Sequence, residues 1–365
     1  MKTPVTRSRA RAWFIPVGAA IFLLLCASML SAQDRGTPRA PQPKLRFIRA
    51  NGIKIRIAEM GKGPLVILVH GWPESWYSWR HQIPALAAAG YRVVAPDMRG
   101  YGKTDKPGAV EDYDIQHLTG DLRGIVEALG EKSAALIGHD WGAIVAWQAM
   151  LLHPRQFTSL VAMSVPYNGR PGQSIVQSLR QAQGDNFYYI LYFQEPGVAE
   201  REFDADPRGI LSRLYLSPDS PREAPQITDP KRAAGGWIPR LGAPKGLPAW
   251  LTQADLDYYV REFTAAGFRG GINYYRNFHR NWETTPQLAG VKINAPVLFL
   301  AGEKDTVIRG RNAEALTSAM RDAVPGLREV KLIPGKGHWV QQEAPAEINE
   351  AIISFLRTAH GGAAR

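Results

Sequence analysis

Residues 134–142 read Ala134-Ala135-Leu136-Ile137-Gly138-His139-Asp140-Trp141-Gly142. The apolar run ending there, over 133–137, suits a strand buried on both faces. A helical apolar period starts at Trp141 and continues to 152, which leaves almost no chain for a loop between strand and helix. The backbone must therefore reverse sharply. Glycines two residues either side of a central residue allow such a turn, and the central side chain is then held in strained geometry above the sheet, as in a nucleophile elbow. Asp140 occupies the apex. A carboxylate there restricts the electrophile: attack on an ester or amide would give a high-energy anhydride, whereas attack on a saturated carbon gives a stable alkyl ester. Epoxides and alkyl halides supply such a carbon together with an oxygen or halide that departs. An Asp ahead of a helix can also be a simple N-cap, but both glycines and the strand favour the nucleophile.

Outward from this turn, strand and helix signals alternate, which predicts an α/β fold: a mostly parallel sheet flanked by helices. Residues 45–50 and 53–59 alternate around Asn51-Gly52, a two-residue hairpin signal. Leu65–Val69 is a continuous apolar run, and further buried strands are expected at 91–95, 158–163, 296–301 and 328–333. Helical periods fall at 115–129, 311–322 and 343–358. The interval 166–294 differs, being rich in Pro, Gly, Tyr and Trp, with helices expected at 172–194 and 252–266. It reads as a helical cap inserted into a core formed by 44–165 and 295–360.

Three further elements fall where an elbow mechanism needs them. His70-Gly71-Trp72-Pro73 follows the strand ending at Val69, so the backbone N–H groups of Trp72 and Trp141 are the expected oxyanion hole. Gly337-His338-Trp339 follows the strand at 328–333 and puts His338 in a loop near the sheet edge, where it can act as general base. Asp305, after the strand at 296–301, can orient that imidazole by accepting its second N–H, with Glu303 in reserve. A loop histidine or a post-strand aspartate is on its own more often solvated or a cap.

Together these residues resemble the α/β-hydrolase fold and, within it, the soluble-type epoxide hydrolases, over roughly 44–360. Two cap motifs carry the resemblance furthest: Tyr189-Ile190-Leu191-Tyr192-Phe193-Gln194-Glu195-Pro196-Gly197, and Tyr275-Arg276-Asn277 followed by Asn281-Trp282. The resemblance assigns Tyr189 and Tyr275 as the donors to the epoxide oxygen. Opening an epoxide at neutral pH leaves an alkoxide unless something protonates it, and a phenol remains a donor. Composition does not choose among Tyr188, Tyr189, Tyr192, Tyr258, Tyr259, Tyr274 and Tyr275. The resemblance implies attack by Asp140, then hydrolysis of the ester by water activated by His338, with no metal or organic cofactor. Phe193, Trp339 and Trp76 are expected to line the substrate slot, although core packing explains aromatic residues equally well. The nearest rival is a haloalkane or haloacid dehalogenase, which needs halide-binding N–H donors instead of phenols. A non-catalytic binding protein on the same fold is the remaining alternative.

The rest of the composition bounds partners and location. The chain has 365 residues, 45% hydrophobic, with 44 Lys and Arg against 33 Asp and Glu for a net +11. Outside the N-terminus the bases are scattered, so no nucleic-acid partner is expected. One cysteine, Cys26, excludes a disulfide framework or a multi-cysteine metal centre. Lys2, Arg7, Arg9 and Arg11 precede an apolar run at 12–30 and the small residues Ser31-Ala32, the order of a signal peptide over 1–32. A linker follows at 33–43. The protein is therefore expected to be exported, periplasmic or secreted, or else held at a membrane by an uncleaved anchor at 12–30.

Overall fold

The computed structural model describes residues 1–4 and 42–359. Apart from its first four residues, the export segment lies outside the described residues, as do the anchor alternative and the linker up to position 41.

Eight strands form one sheet: β1 (Lys44–Ala50), β2 (Ile53–Met60), β3 (Leu65–Val69), β4 (Arg92–Pro96), β5 (Ala134–His139), β6 (Phe157–Met163), β7 (Val297–Gly302) and β8 (Leu327–Ile333). Their order is β1-β2-β4-β3-β5-β6-β7-β8. The first two strands are a hairpin whose turn residues, Asn51 (φ 48°) and Gly52 (φ 79°), both take the positive φ that a tight two-residue turn requires. β2 meets β4 antiparallel, and every pairing from β4 through β3 to β8 is parallel. The strands fall within a residue or two of the positions expected from the sequence.

β3 shows why the sheet centre reads as unbroken apolar sequence. Leu65, Ile67 and Val69 face one apolar layer while Val66 and Leu68 face the other, and all five are buried. Helices α2 (Ile115–Ala128) and α3 (Trp141–Leu152) pack into the first layer, as does α11 (Ala313–Met320). α1 (Gln82–Ala88) and the last helix, α13 (Pro345–Ala359), cover the opposite face. A short α12 (Val340–Glu343) precedes α13, so the helix expected over 343–358 begins as two pieces, with Pro345 opening the second.

Among the described residues no strand joins the sheet between Met163 and Val297. That interval holds α4 (Ile175–Gln183), α5 (Tyr189–Tyr192), α6 (Val198–Ala205), α7 (Pro207–Leu214), α8 (Gln253–Ala266), α9 (Arg269–Arg276) and α10 (Phe278–Thr284). The helix expected over 172–194 is two helices, because Gly184 ends α4 at φ 53°. Buried polar contacts tie these helices to the core. Arg56 of β2 bonds both Asp97 and Glu262 of α8, Tyr77 donates to Asp255 at 2.8 Å, and Tyr274 donates to the Arg99 carbonyl at 2.9 Å.

Parallel register brings Val69, Gly138 and Ala162 side by side at the carboxyl ends of β3, β5 and β6. The loops after β3, β5, β7 and β8 consequently emerge along one edge, beneath the inserted helices, where open α/β sheets place their sites.

Candidate active site

The turn after β5 is tighter than the sequence alone reveals. Asp140 has φ 52° and ψ −119°, a backbone that a non-glycine residue keeps only when its surroundings enforce it. The flanking glycines permit this by close approach. A Cβ on Gly142 would lie 1.8 Å from the Val69 carbonyl oxygen, and one on Gly138 would lie 2.4 Å from that of Gly142. Gly71 is required in the same way, since its Cβ would meet the Asp140 Cβ at 2.5 Å. Gly142→Ala is therefore expected to cost about 2–3 kcal/mol in urea unfolding, because β3 and α3 must separate to admit one methyl group. A variant with unchanged stability and activity would contradict this packing.

The three sequence-nominated groups of the triad come together. His338, in the loop after β8, places Nδ1 3.1 and 3.2 Å from the two carboxylate oxygens of Asp305. Its Nε2 faces the Asp140 Oδ2 at 3.7 Å. Asp305 is fully buried as a side chain, whereas His338 keeps 21% exposure toward the cavity. Burial depresses the His338 pKa, but the nearby Asp305 charge, with Asp140 adding to it, outweighs that and raises it well above the ordinary value. Burial likewise raises Asp305, and His338 reverses this to a net lowering. The reserve candidate Glu303 is exposed and accepts the Gly335 N–H at 3.0 Å, which leaves the triad to Asp305.

Trp72 donates its backbone N–H to the Asp140 Oδ1 at 2.8 Å. Trp141, the other expected oxyanion donor, follows Asp140 directly and its N–H is the first of α3. The loop carrying Trp72 is fixed by His70. The Met98 N–H donates to His70 Nε2 at 3.0 Å, so the ring proton sits on Nδ1, 2.8 Å from the Gly71 carbonyl.

Sequence reasoning missed Glu74 and the contacts of His139. Glu74 is buried and accepts from the Gly71 N–H at 3.0 Å, from His139 Nδ1 at 2.9 Å, and from the amides of Gln341 and Gln342 at 3.0 and 3.2 Å. Burial alone would raise its pKa, yet the charge and hydrogen bond of His139, with the Ser78 hydroxyl and His70 adding to them, bring it to about 2. His139 Nε2 donates onward to the His338 carbonyl at 2.7 Å. One buried carboxylate thereby ties together the oxyanion loop, the elbow and the histidine loop. Its sequence signal is an acid two residues after Trp72 in a stretch, 71–79, that is otherwise uncharged.

The two nominated phenols line the same cavity as Asp140. Tyr189 opens α5 and Tyr275 lies in α9, with rings 5.8 Å apart at 78°. Burial first, and the Asp140 charge second, raise both phenol pKa values, which keeps their protons in place. Most of the other tyrosines are engaged elsewhere: Tyr192 donates to Glu202 at 2.8 Å, Tyr259 bonds Ser78 at 2.9 Å, Tyr274 caps the Arg99 carbonyl, and Tyr258 stacks on Tyr77 at 4.1 Å. Tyr188 lies beside Tyr189 and lines a chamber wall.

Two chambers, of about 420 and 610 Å³, meet at Asp140, Tyr189, Tyr275, Thr306 and Val307. Trp72, Trp237, His338 and Trp339 line the first, with Arg213, Arg222 and Lys304 around it. Trp141, Ile144, Leu179 and Phe278 line the second. Of the aromatic residues expected at the substrate, Trp339 is present. Trp76 is not; it is buried in the other apolar layer against Tyr77 and Tyr258. Phe193 is wholly buried and packs edge-on against Tyr189 and Tyr275, so it backs the phenols and does not touch the cavity. Among the described residues no three His, Cys, Asp or Glu side chains are grouped to hold a metal.

A family model described as alpha/beta hydrolase fold matches residues 64–345. Epoxide hydrolase A of Mycobacterium tuberculosis is 46% identical over 323 residues, covering 86% of this chain and 97% of its own. The chain belongs to the epoxide hydrolases of the α/β-hydrolase fold. Among solved structures, epoxide hydrolase A from Mycobacterium thermoresistibile superposes with a TM-score of 0.77 at 47% identity, covering 86% of this chain and 98% of that one. An epoxide hydrolase from an endophytic Streptomyces gives 0.79 at 38% identity, covering 87% and 96%. In this chain Asp140 sits at the strained turn after β5, with His338 between it and Asp305.

Proposed function

We propose that this chain converts epoxides to vicinal diols in two covalent half-reactions on Asp140. One observation carries the reading: Asp140 accepts the Trp72 N–H, has His338 Nε2 at 3.7 Å, and lines one cavity with the Tyr189 and Tyr275 phenols. Asp140 attacks one epoxide carbon, the C–O bond breaks, and Tyr189 or Tyr275 supplies the proton to the leaving oxygen. The product of this step is a hydroxyalkyl ester. His338, oriented by Asp305, then takes a proton from water, and the resulting hydroxide adds to the ester carbonyl. The tetrahedral oxyanion is held by the Trp72 and Trp141 N–H groups. Its collapse expels the diol alkoxide, which recovers a proton from His338; the carboxyl proton left on Asp140 returns to the phenolate formed in the first step, so the Asp140 carboxylate and the phenol are both regenerated.

A dehalogenase would use the same nucleophile but needs indole or amide N–H donors where a halide departs. The positions facing Asp140 hold Tyr189 and Tyr275, which suit an oxygen. Matched epoxides and haloalkanes of equal chain length test this directly: diol release from the epoxides with no halide release is expected. Halide release as the faster reaction would overturn the assignment.

We infer export from the basic and apolar order of residues 1–32, with a mature chain starting near Gln33. Among the described residues no helix is long and apolar enough to cross a membrane. N-terminal sequencing of the protein recovered from its natural host should begin near Gln33. An intact N-terminus derived from Met1 in a soluble cytoplasmic fraction would exclude export.

A further inference from the structure

Directly after β6, Ser164 is fully buried with φ 70°. The Val165 N–H donates across it to the Met163 carbonyl at 2.8 Å, which makes Ser164 the centre of a γ-turn of the rare, strained hand. Glycine would take this backbone freely. A side chain is retained at such a position only where it is needed or enforced by its surroundings.

The hydroxyl supplies the reason. Ser164 Oγ donates to the His338 carbonyl at 3.2 Å, the carbonyl that also accepts His139 Nε2 at 2.7 Å. The Ser164 N–H bonds the Leu300 carbonyl of β7 at 2.9 Å, and β7 leads straight to Asp305. The Asp305 carboxylate, raised by burial, is brought below its usual range by His338, with the Val307 amide and the Ser164 hydroxyl adding to the effect. Ser164 thus sits where the catalytic acid, the histidine loop and the end of β6 converge, without reaching either chamber.

We propose that Ser164 is a positioning residue for ester hydrolysis: its hydroxyl fixes the His338 backbone so that the imidazole stays in line between Asp305 and Asp140, and the strained turn is what delivers the hydroxyl there. This rests on the two-step reading above. Because Asp140 attacks without help from a base, a displaced His338 affects only the second step.

Two variants separate this role from simple packing. Ser164→Ala removes the hydroxyl and keeps the strain, whereas Ser164→Gly removes both. In single-turnover experiments each should form ester within about twofold of the wild-type rate and hydrolyse it about tenfold more slowly, as a displaced general base requires. Ser164→Gly should at the same time match or exceed the wild-type Tm. Ester hydrolysis within twofold of wild type in both variants would overturn the proposal, as would equal losses in both steps accompanied by a lower Tm. A readout independent of turnover is the low-field proton resonance of His338 Nδ1–H bonded to Asp305, expected to broaden or shift in Ser164→Ala. An unchanged resonance also overturns the proposal. Should the wild-type protein form no ester, the two-step reading fails, and the resonance still decides whether Ser164 positions His338.

Discussion

His338→Gln is expected to form the Asp140 ester and then stall, with ester hydrolysis slowed by about 10²–10⁴-fold and ester formation within about tenfold of wild type. The charge arrangement explains why the two steps separate. In the free enzyme His338 faces Asp305 and Asp140, and these carboxylates outweigh burial and raise its pKa. The ring of His139, itself paired with Glu74, lies behind it at 4.8 Å between centroids. Ester formation removes the Asp140 charge, so one of the two groups that stabilise the imidazolium is lost as the base is needed. The pKa of His338 accordingly falls on alkylation, and hydrolysis should slow as pH is lowered through the value that His338 has in the ester. Mass analysis of the peptide containing Asp140 should show a substrate-mass adduct accumulating in the variant and turning over in the wild type. In heavy-oxygen water, the first-turnover diol from the wild type should carry an oxygen from Asp140, and the label should remain on the enzyme. A first-turnover diol fully labelled by solvent would mean that water attacks the epoxide directly.

The elbow was legible because its signals are local: two glycines, a buried strand and an apolar helix within nine residues leave one backbone solution. The sheet was legible for a similar reason, since β3, β5 and β7 are buried on both faces and read as unbroken apolar runs. What escaped depends on contacts between distant segments. Glu74 acquires its role from Gln341 and Gln342, more than 260 residues away, and no periodicity encodes such a pairing. Trp76 and Phe193 were misjudged because an aromatic residue beside a catalytic loop looks alike in sequence whether it faces the cavity or the layer behind it. Which face it takes is settled by the 3₁₀ turn at Trp76–Trp79 and by the position of α5 against α9. The phenols occupy a middle ground: chemistry demands a proton donor, resemblance selects two of seven tyrosines, and the remaining hydroxyls are largely occupied elsewhere in the fold.

Replacing both Tyr189 and Tyr275 by phenylalanine is expected to slow ester formation by roughly 10⁴-fold or more, with each single variant retaining partial activity at a loss of about 10²-fold. The two rings lie edge to face 5.8 Å apart and line the cavity that contains Asp140, so either can meet the leaving oxygen. Losing one leaves a donor in place, and losing both forces an alkoxide to form in a site whose walls are Trp72, Trp237 and Trp141. Burial and the Asp140 charge raise both phenol pKa values, so the donors remain protonated as the medium becomes alkaline, and ester formation should not fall at the pH where an ordinary tyrosine ionises. Neither phenol belongs to the oxyanion hole, which consists of backbone N–H groups. Ester hydrolysis should therefore be nearly unaffected in the single variants, which still form enough ester to follow its decay. The substitutions remove only hydroxyl oxygens from rings held by Trp141, Phe193 and Trp237, and Tm should stay close to that of the wild type. Rapid-quench measurement of ester formation, alongside ester decay and thermal unfolding, separates these effects. Wild-type ester formation in the double variant would show that another group protonates the epoxide oxygen, and equal losses in both half-reactions would place the phenols at the oxyanion instead.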